Sequence, residues 1–90
     1  MAEKNGVIKF ELLHPTGLYK EALVTIEEGE TIAAADTITL DDPELFVNEI
    51  VSASAHLYGD STAQTYEFAD NVLTRGAGTA AREVVRIVFK

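Results

Sequence analysis

The 90-residue chain contains no cysteine, which removes disulfides, thiolate nucleophiles, zinc knuckles and iron–sulfur clusters together. That composition fits an intracellular, cytoplasmic setting. No apolar run reaches the roughly 18 residues that a membrane-spanning helix needs. The opening Met1-Ala2-Glu3-Lys4-Asn5 leads into an apolar run of only a few residues, so no export signal is read there. Tryptophan is absent, and the aromatics are four Phe and three Tyr. The core is therefore expected to be shallow and built from small aliphatic groups, 12 alanines among them, with a thin stability margin.

The remaining absence is positional. Between Glu21 and Thr74 there is no Lys or Arg, against twelve carboxylates. All seven basic residues lie near the two ends: Lys4, Lys9 and Lys20, then Arg75, Arg82, Arg86 and Lys90. The net charge is −8. A middle segment of this kind repels phosphate backbones and anionic lipid surfaces, so neither direct nucleic-acid binding nor membrane binding is expected. It reads first as a solvated face and second as a docking face for a basic protein partner. Its candidate residues are Glu27, Glu28, Glu30, Asp41, Asp42, Glu44 and Glu49.

What is present suits one globular domain over residues 1–90: 47% hydrophobic residues, with the 24% charged residues dispersed. From Val7 to Leu13, Ile8, Phe10 and Leu12 alternate with Lys9 and Glu11, the period of a half-buried strand. His14-Pro15-Thr16-Gly17 reads as a turn, and Leu18 to Ile26 places Ala22, Val24 and Ile26 on one face. Together they predict a β-hairpin. Thr31 to Leu40 fits a strand ending Thr-Ile-Thr-Leu, or a short helix over Ala33–Ala35; strand is preferred.

A main helix is expected at about residues 42–58. Asp41 and Asp42 offer capping acceptors, Pro43 suits the first turn, and Phe46, Ile50, Ala53 and Leu57 recur at helical spacing before Gly59. Ser61 to Thr74 is read as a second helix, although Thr-Tyr-Glu-Phe also alternates like an edge strand. Arg75-Gly76-Ala77-Gly78-Thr79 reads as a flexible connection into a β-branched strand over 82–89. The expected fold class is thus α+β: a small mixed sheet of the hairpin and the last strand, packed on one helix. This order of elements resembles that of β-grasp domains, in which the last strand lies beside the first in mid-sheet. The resemblance is of order alone, since the chain ends Val88-Phe89-Lys90 without a Gly-Gly tail and has no cluster cysteines.

No catalytic, metal or cofactor site is assigned. On a helix, Ser52, His56 and Asp60 would stand one turn apart, yet no elbow turn or oxyanion hole accompanies them, and a polar helix stripe produces such ladders by default. The carboxylates lack calcium-loop spacing, and two histidines without cysteine fall short of a transition-metal cage. Gly76-Ala77-Gly78 between Arg75 and Arg82 suits a hinge better than an anion-binding backbone nest. The leading expectation is a non-enzymatic interaction or assembly module, self-associating through a sheet edge or through oppositely charged surfaces. The alternatives are an acidic inhibitor that mimics nucleic acid, and a small ligand-binding domain or enzyme built around His56 or the glycine loop.

Overall fold

The computed structural model describes residues 3–14, 19–41 and 47–90. Among the described residues, a single 3-10 turn, Asn5–Val7, leads into eight strands. They are β1 (Ile8–His14), β2 (Lys20–Ile26), β3 (Thr37–Thr39), β4 (Ile50–Leu57), β5 (Ala63–Gln64), β6 (Tyr66–Ala69), β7 (Val72–Arg75) and β8 (Glu83–Phe89). A five-stranded sheet has the order β1-β2-β8-β4-β5, and a three-stranded sheet the order β3-β7-β6. Every strand pair is antiparallel.

The expected N-terminal hairpin forms, with Ile8 opposite Ile26 and Phe10 opposite Val24. Leu13 is an extra residue at the end of β1, where the register shifts between Leu12 and His14. The expected turn residues 15–17 lie outside the described residues. The last strand does sit in mid-sheet, but between β2 and β4 and not beside β1. The β-grasp order therefore does not hold, and the sheet is antiparallel where a mixed one was expected.

The larger correction is the helix expected at 42–58. Its second half is β4, and residues 42–46 lie outside the described residues. The cause is a bulge. Ile50 faces Phe89 and Ser52 faces Val88, so Val51 is an additional residue in the ladder. Ile50, Ala53, Ala55 and Leu57 then share the inner face, and the bulge stretches one step of a two-residue period to three. Helical spacing of Ile50, Ala53 and Leu57 results without a helix. The helix read over 61–74 is likewise replaced by β5, β6 and β7, and Tyr-Glu-Phe of the Thr-Tyr-Glu-Phe run belongs to an edge strand. Asp70, at φ 52°, and Asn71 form the two-residue turn that splits that segment. Alpha-helix is absent among the described residues, so the fold is nearly all-β where α+β was expected.

Over 31–40 the strand reading holds only at its end. Ile32 makes an isolated bridge to Ala81, Ala35 turns the chain at φ 68°, and β3 follows. The inner faces of the two sheets meet in one cluster. Ala22, Val24, Ile26, Val85, Ile87 and Phe89 come from the large sheet, Ile38 and Leu73 from the small one, and Ile32 and Leu40 from the flanking segments. All ten are fully shielded from solvent. The outer face of the large sheet carries Glu21, Leu23, Thr25, Val84, Arg86, Val88, Ser52, Ser54 and His56, a mixed surface of polar and aliphatic side chains with no second strand layer among the described residues.

Candidate functional site

Three places on this framework hold chemistry, and the first is internal. Arg75 ends β7 and Glu83 begins β8, so their side chains meet between the sheets with none of either exposed. Arg75 Nη2 donates to Glu83 Oε2 at 2.5 Å and Nε to Oε1 at 3.0 Å, a two-pronged arrangement. Tyr66 donates its hydroxyl to Glu83 Oε1 at 2.8 Å. Burial, and then this bond to a carboxylate, push the Tyr66 phenol well above its usual range, while Glu83 holds the Arg75 guanidinium more firmly charged.

The loop after Arg75 completes the enclosure. Nη1 donates to Gly76 O at 3.0 Å and Nη2 to Thr79 O at 2.9 Å. Gly78, at φ 137°, passes so close that a Cβ would stand 3.3 Å from Nη1. The segment expected to be a flexible hinge thus wraps a cation with carbonyl oxygens. A nest for an external anion would need converging amides. The second arginine of that motif is also engaged, because Arg82 donates to Ile26 O at 2.7 Å and lies 3.6 Å from the Tyr58 ring centroid.

The second place is an open cleft of about 360 Å³ lined by His56, Gly59, Asp60 and Ser61. His56 Nδ1 lies 2.8 Å from Leu57 O and 3.0 Å from Asp60 O. Two carbonyl acceptors require Nδ1 to carry a proton. Asp60 Oδ1 accepts from the Thr62 hydroxyl at 2.7 Å and the Thr62 amide at 2.8 Å, and these bonds hold the Asp60 carboxyl below its ordinary range. Ser52 shares the outer face of β4 with His56 but stands about 13 Å along the strand, at about 3.3 Å per residue. The Ser52-His56-Asp60 ladder is therefore broken, and no serine among the described residues donates to His56. Nor do three His, Asp or Glu side chains gather to hold a metal among the described residues.

The candidate acidic residues divide. Glu27, Glu28 and Glu30 follow β2 at the end of the large sheet where β8 begins. Glu49 lies at the opposite end, its backbone exchanging hydrogen bonds with Lys90 and its carboxylate 3.9 Å from the Lys90 ammonium. Asp41 belongs to that second end. It follows Leu40, whose amide donates to Asn71 O, while the adjacent Asp70 O accepts from Ile50. A strand of seven residues, about 20 Å, separates the two groups. Asp42 and Glu44 lie outside the described residues.

The third place is an edge. Glu27 donates its amide to Val7 O at 2.8 Å, which makes Val7 and Glu27 a hydrogen-bonded pair of the β1–β2 ladder. Because such pairs alternate in antiparallel sheets, Lys9 and Glu11 turn their backbone groups toward β2, and Ile8, Phe10 and Leu12 turn theirs outward. Among the described residues no strand and no hydrogen bond occupies that outer side. Ile8 and Phe10 pack their side chains on the core, and Leu12 is 37% exposed. Sequence alternation located the strand, but only strand order makes it an edge. No family model, curated protein or solved structure matches this chain.

Proposed function

We propose that the chain is a non-enzymatic protein-interaction or assembly module that takes a partner strand along the outer edge of β1. The observation that carries this reading is the row of outward N–H and C=O groups at Ile8, Phe10 and Leu12, for which the described residues supply no partner. Backbone groups so placed form a template for strand addition: main-chain bonds give affinity, and alternate side chains give selectivity. Leu12 adds exposed apolar surface on the inner side. Lys9 and Glu11 add exposed charges of both signs on the outer side. Glu27 and Glu28, beside the start of β1, favour a basic group on the partner at that end.

The His56 cleft favours no catalytic role, because His56 Nδ1 is engaged by the Leu57 and Asp60 carbonyls and the Asp60 carboxylate by Thr62. Among the described residues no helix is long and apolar enough to cross a membrane. A cysteine-free composition suits the reducing cytoplasm, where we place the protein.

The test is a Leu12→Pro variant. Its missing N–H is one that points outward, so the β1–β2 ladder is spared while the edge loses a donor and gains a ring. Affinity capture with the wild-type and variant chains should recover partners that the variant loses. A partner retained equally by both would refute the edge as the binding surface.

A further inference from the structure

Resting on the edge reading above, we infer that the strand received by β1 is β1 of a second copy, paired antiparallel about a twofold axis at Phe10. The outward-facing residues are the even-numbered Ile8, Phe10 and Leu12, so a twofold pairing must set even opposite even. Centring on residue 8 or 12 runs the ladder into the 3-10 turn Asn5–Val7 or the bulge at Leu13, so three centres remain. Centring on residue 9 puts Lys9 against Lys9, and centring on residue 11 puts Glu11 against Glu11, like charges directly opposite. Centring on Phe10 puts Lys9 against Glu11 of the second copy, twice, and Ile8 against Leu12, twice.

That register agrees with the local geometry on each face. The Phe10·Phe10 and Ile8·Leu12 positions are hydrogen-bonded pairs, giving about six inter-chain backbone bonds. The Lys9·Glu11 positions are then non-hydrogen-bonded pairs, in which the side chains approach more closely. Both charged residues are exposed on the outer face, so they meet without entering the core. On the inner face, the exposed part of Leu12 would be covered by Ile8 of the second copy, continuing the apolar layer across the axis. The bulge at Leu13 interrupts the strand directly after the paired stretch, so the contact is confined to five residues. An isologous pairing of this kind closes on itself and joins two five-stranded sheets into one of ten strands without propagating further along β1.

The experiment is a charge swap read by sedimentation equilibrium and by amide exchange. The wild-type chain is expected to approach twice its 9.8 kDa mass as concentration rises, with the Ile8, Phe10 and Leu12 amides becoming protected in step. In this register K9E sets carboxylate against carboxylate at both charged positions, and E11K sets ammonium against ammonium. Each should raise the dissociation constant at least tenfold while leaving the monomer's thermal midpoint nearly unchanged. K9E/E11K restores opposite charges in the same register and should recover dimerisation to within about threefold of wild type. Recovery by the double variant is specific to antiparallel self-pairing about Phe10, because an unrelated partner strand would be repelled further.

A monomer at every concentration, with the three amides exchanging rapidly, would overturn self-pairing and leave the edge open to a different partner. Protection of the three amides in a monomer would overturn both readings, since the edge would be closed within the chain. A dimer indifferent to K9E and E11K would place the interface elsewhere and overturn this one.

Discussion

Replacing Arg75 with methionine removes the cation that the buried Glu83 carboxylate meets, and the structure sets the expected scale. Glu83 is fully buried and accepts from Arg75 through both oxygens, with the Tyr66 hydroxyl as its other donor. Met retains much of the Arg stem, so the change isolates charge and hydrogen bonding from packing. The Gly76 and Thr79 carbonyls released by the substitution lie in a loop where Thr79 is exposed, so water satisfies them at small cost. The loss therefore concentrates on one uncompensated buried charge, worth about 3–5 kcal/mol when a partner is removed. Against a total of about 5–10 kcal/mol for a domain of this size, R75M should be marginally folded at 25 °C. With an m-value of about 1 kcal/mol/M, its urea midpoint should fall by about 3 M or more.

E83Q should cost less, about 2–3 kcal/mol, because the guanidinium it strands retains two carbonyl acceptors in the loop. R75M/E83L exchanges the pair for apolar groups and should return to within about 1 kcal/mol of wild type, a coupling of several kcal/mol in a double-mutant cycle. Urea unfolding followed by tyrosine fluorescence and far-ultraviolet circular dichroism measures wild type, R75M, E83L and R75M/E83L, the four corners of the cycle, with E83Q beside them. An R75M loss below about 1 kcal/mol, or additive losses in the double variant, would refute the account of the pair as mutually dependent.

The remaining predictions concern the same interior and its loops. Tyr66, its phenol raised by burial, stays protonated in the folded chain beyond the ordinary value of 10.0. The folded pKa thus lies above the unfolded one, so stability is complete below pH 10 and falls above it by about 1.4 kcal/mol per pH unit. Urea titrations between pH 9 and 11 should show a loss of about 1.4 kcal/mol in total from this group, and Y66F should lack it. Gly78→Ala forces an L side chain to φ 137° against the guanidinium and should cost about 1–3 kcal/mol, measurable as a lowered thermal midpoint. Gly76→Ala should cost at least as much, because its Cβ would stand 2.9 Å from the Thr65 carbonyl, which the Gly76 amide itself bonds. Ala35→Gly should stabilise by about 0.5–1 kcal/mol by relieving an alanine held at φ 68°, after the glycine's extra chain entropy is subtracted.

Legibility in the sequence follows how local the determinants are. The hairpin reads from alternation in Ile8–Leu12 and Ala22–Ile26 because each strand buries one face and bonds a near neighbour in the chain. The last strand reads from its β-branched run, although both of its neighbours, β2 and β4, are distant in the chain. β4 misleads because Val51 bulges out, which aligns Ile50, Ala53 and Leu57 at helical intervals, while Asp41, Asp42 and Pro43 supply a credible cap. A bulge is set by a partner strand some 35 residues away, which no local window contains. The Asp-Asn step at 70–71 was a usable turn signal inside the misread 61–74 segment. The Arg75–Glu83 pair was hidden for another reason. Arginine beside two glycines looks solvated, and only the stacking of the sheets turns Arg75 inward toward Tyr66 and Glu83. The free edge was unreadable as such, since alternation reports a strand's faces and not its neighbours.

Charge segregation along the chain undergoes a similar transformation on folding. The basic residues near the termini face a middle segment without cations, which on a linear view invites association through opposed charge. Antiparallel pairing consumes part of that contrast internally. β8 brings Arg86 to within 2.8 Å of the Glu21 carboxylate on β2 and sets Lys90 beside Glu49. Both pairs are partly solvated and contribute little to stability, but they remove two cations from any long-range field. Arg75 and Arg82 are committed to the interior and to Tyr58. Lys9 is different, because it stands at an edge with its nearest like-strand carboxylate, Glu11, two residues along the same face. At that separation in a strand, about 6.6 Å, the two charges would be better satisfied across the proposed twofold axis than by each other. Under the proposed pairing, the charge pattern that would bear on self-association is thus a local one of two residues on β1.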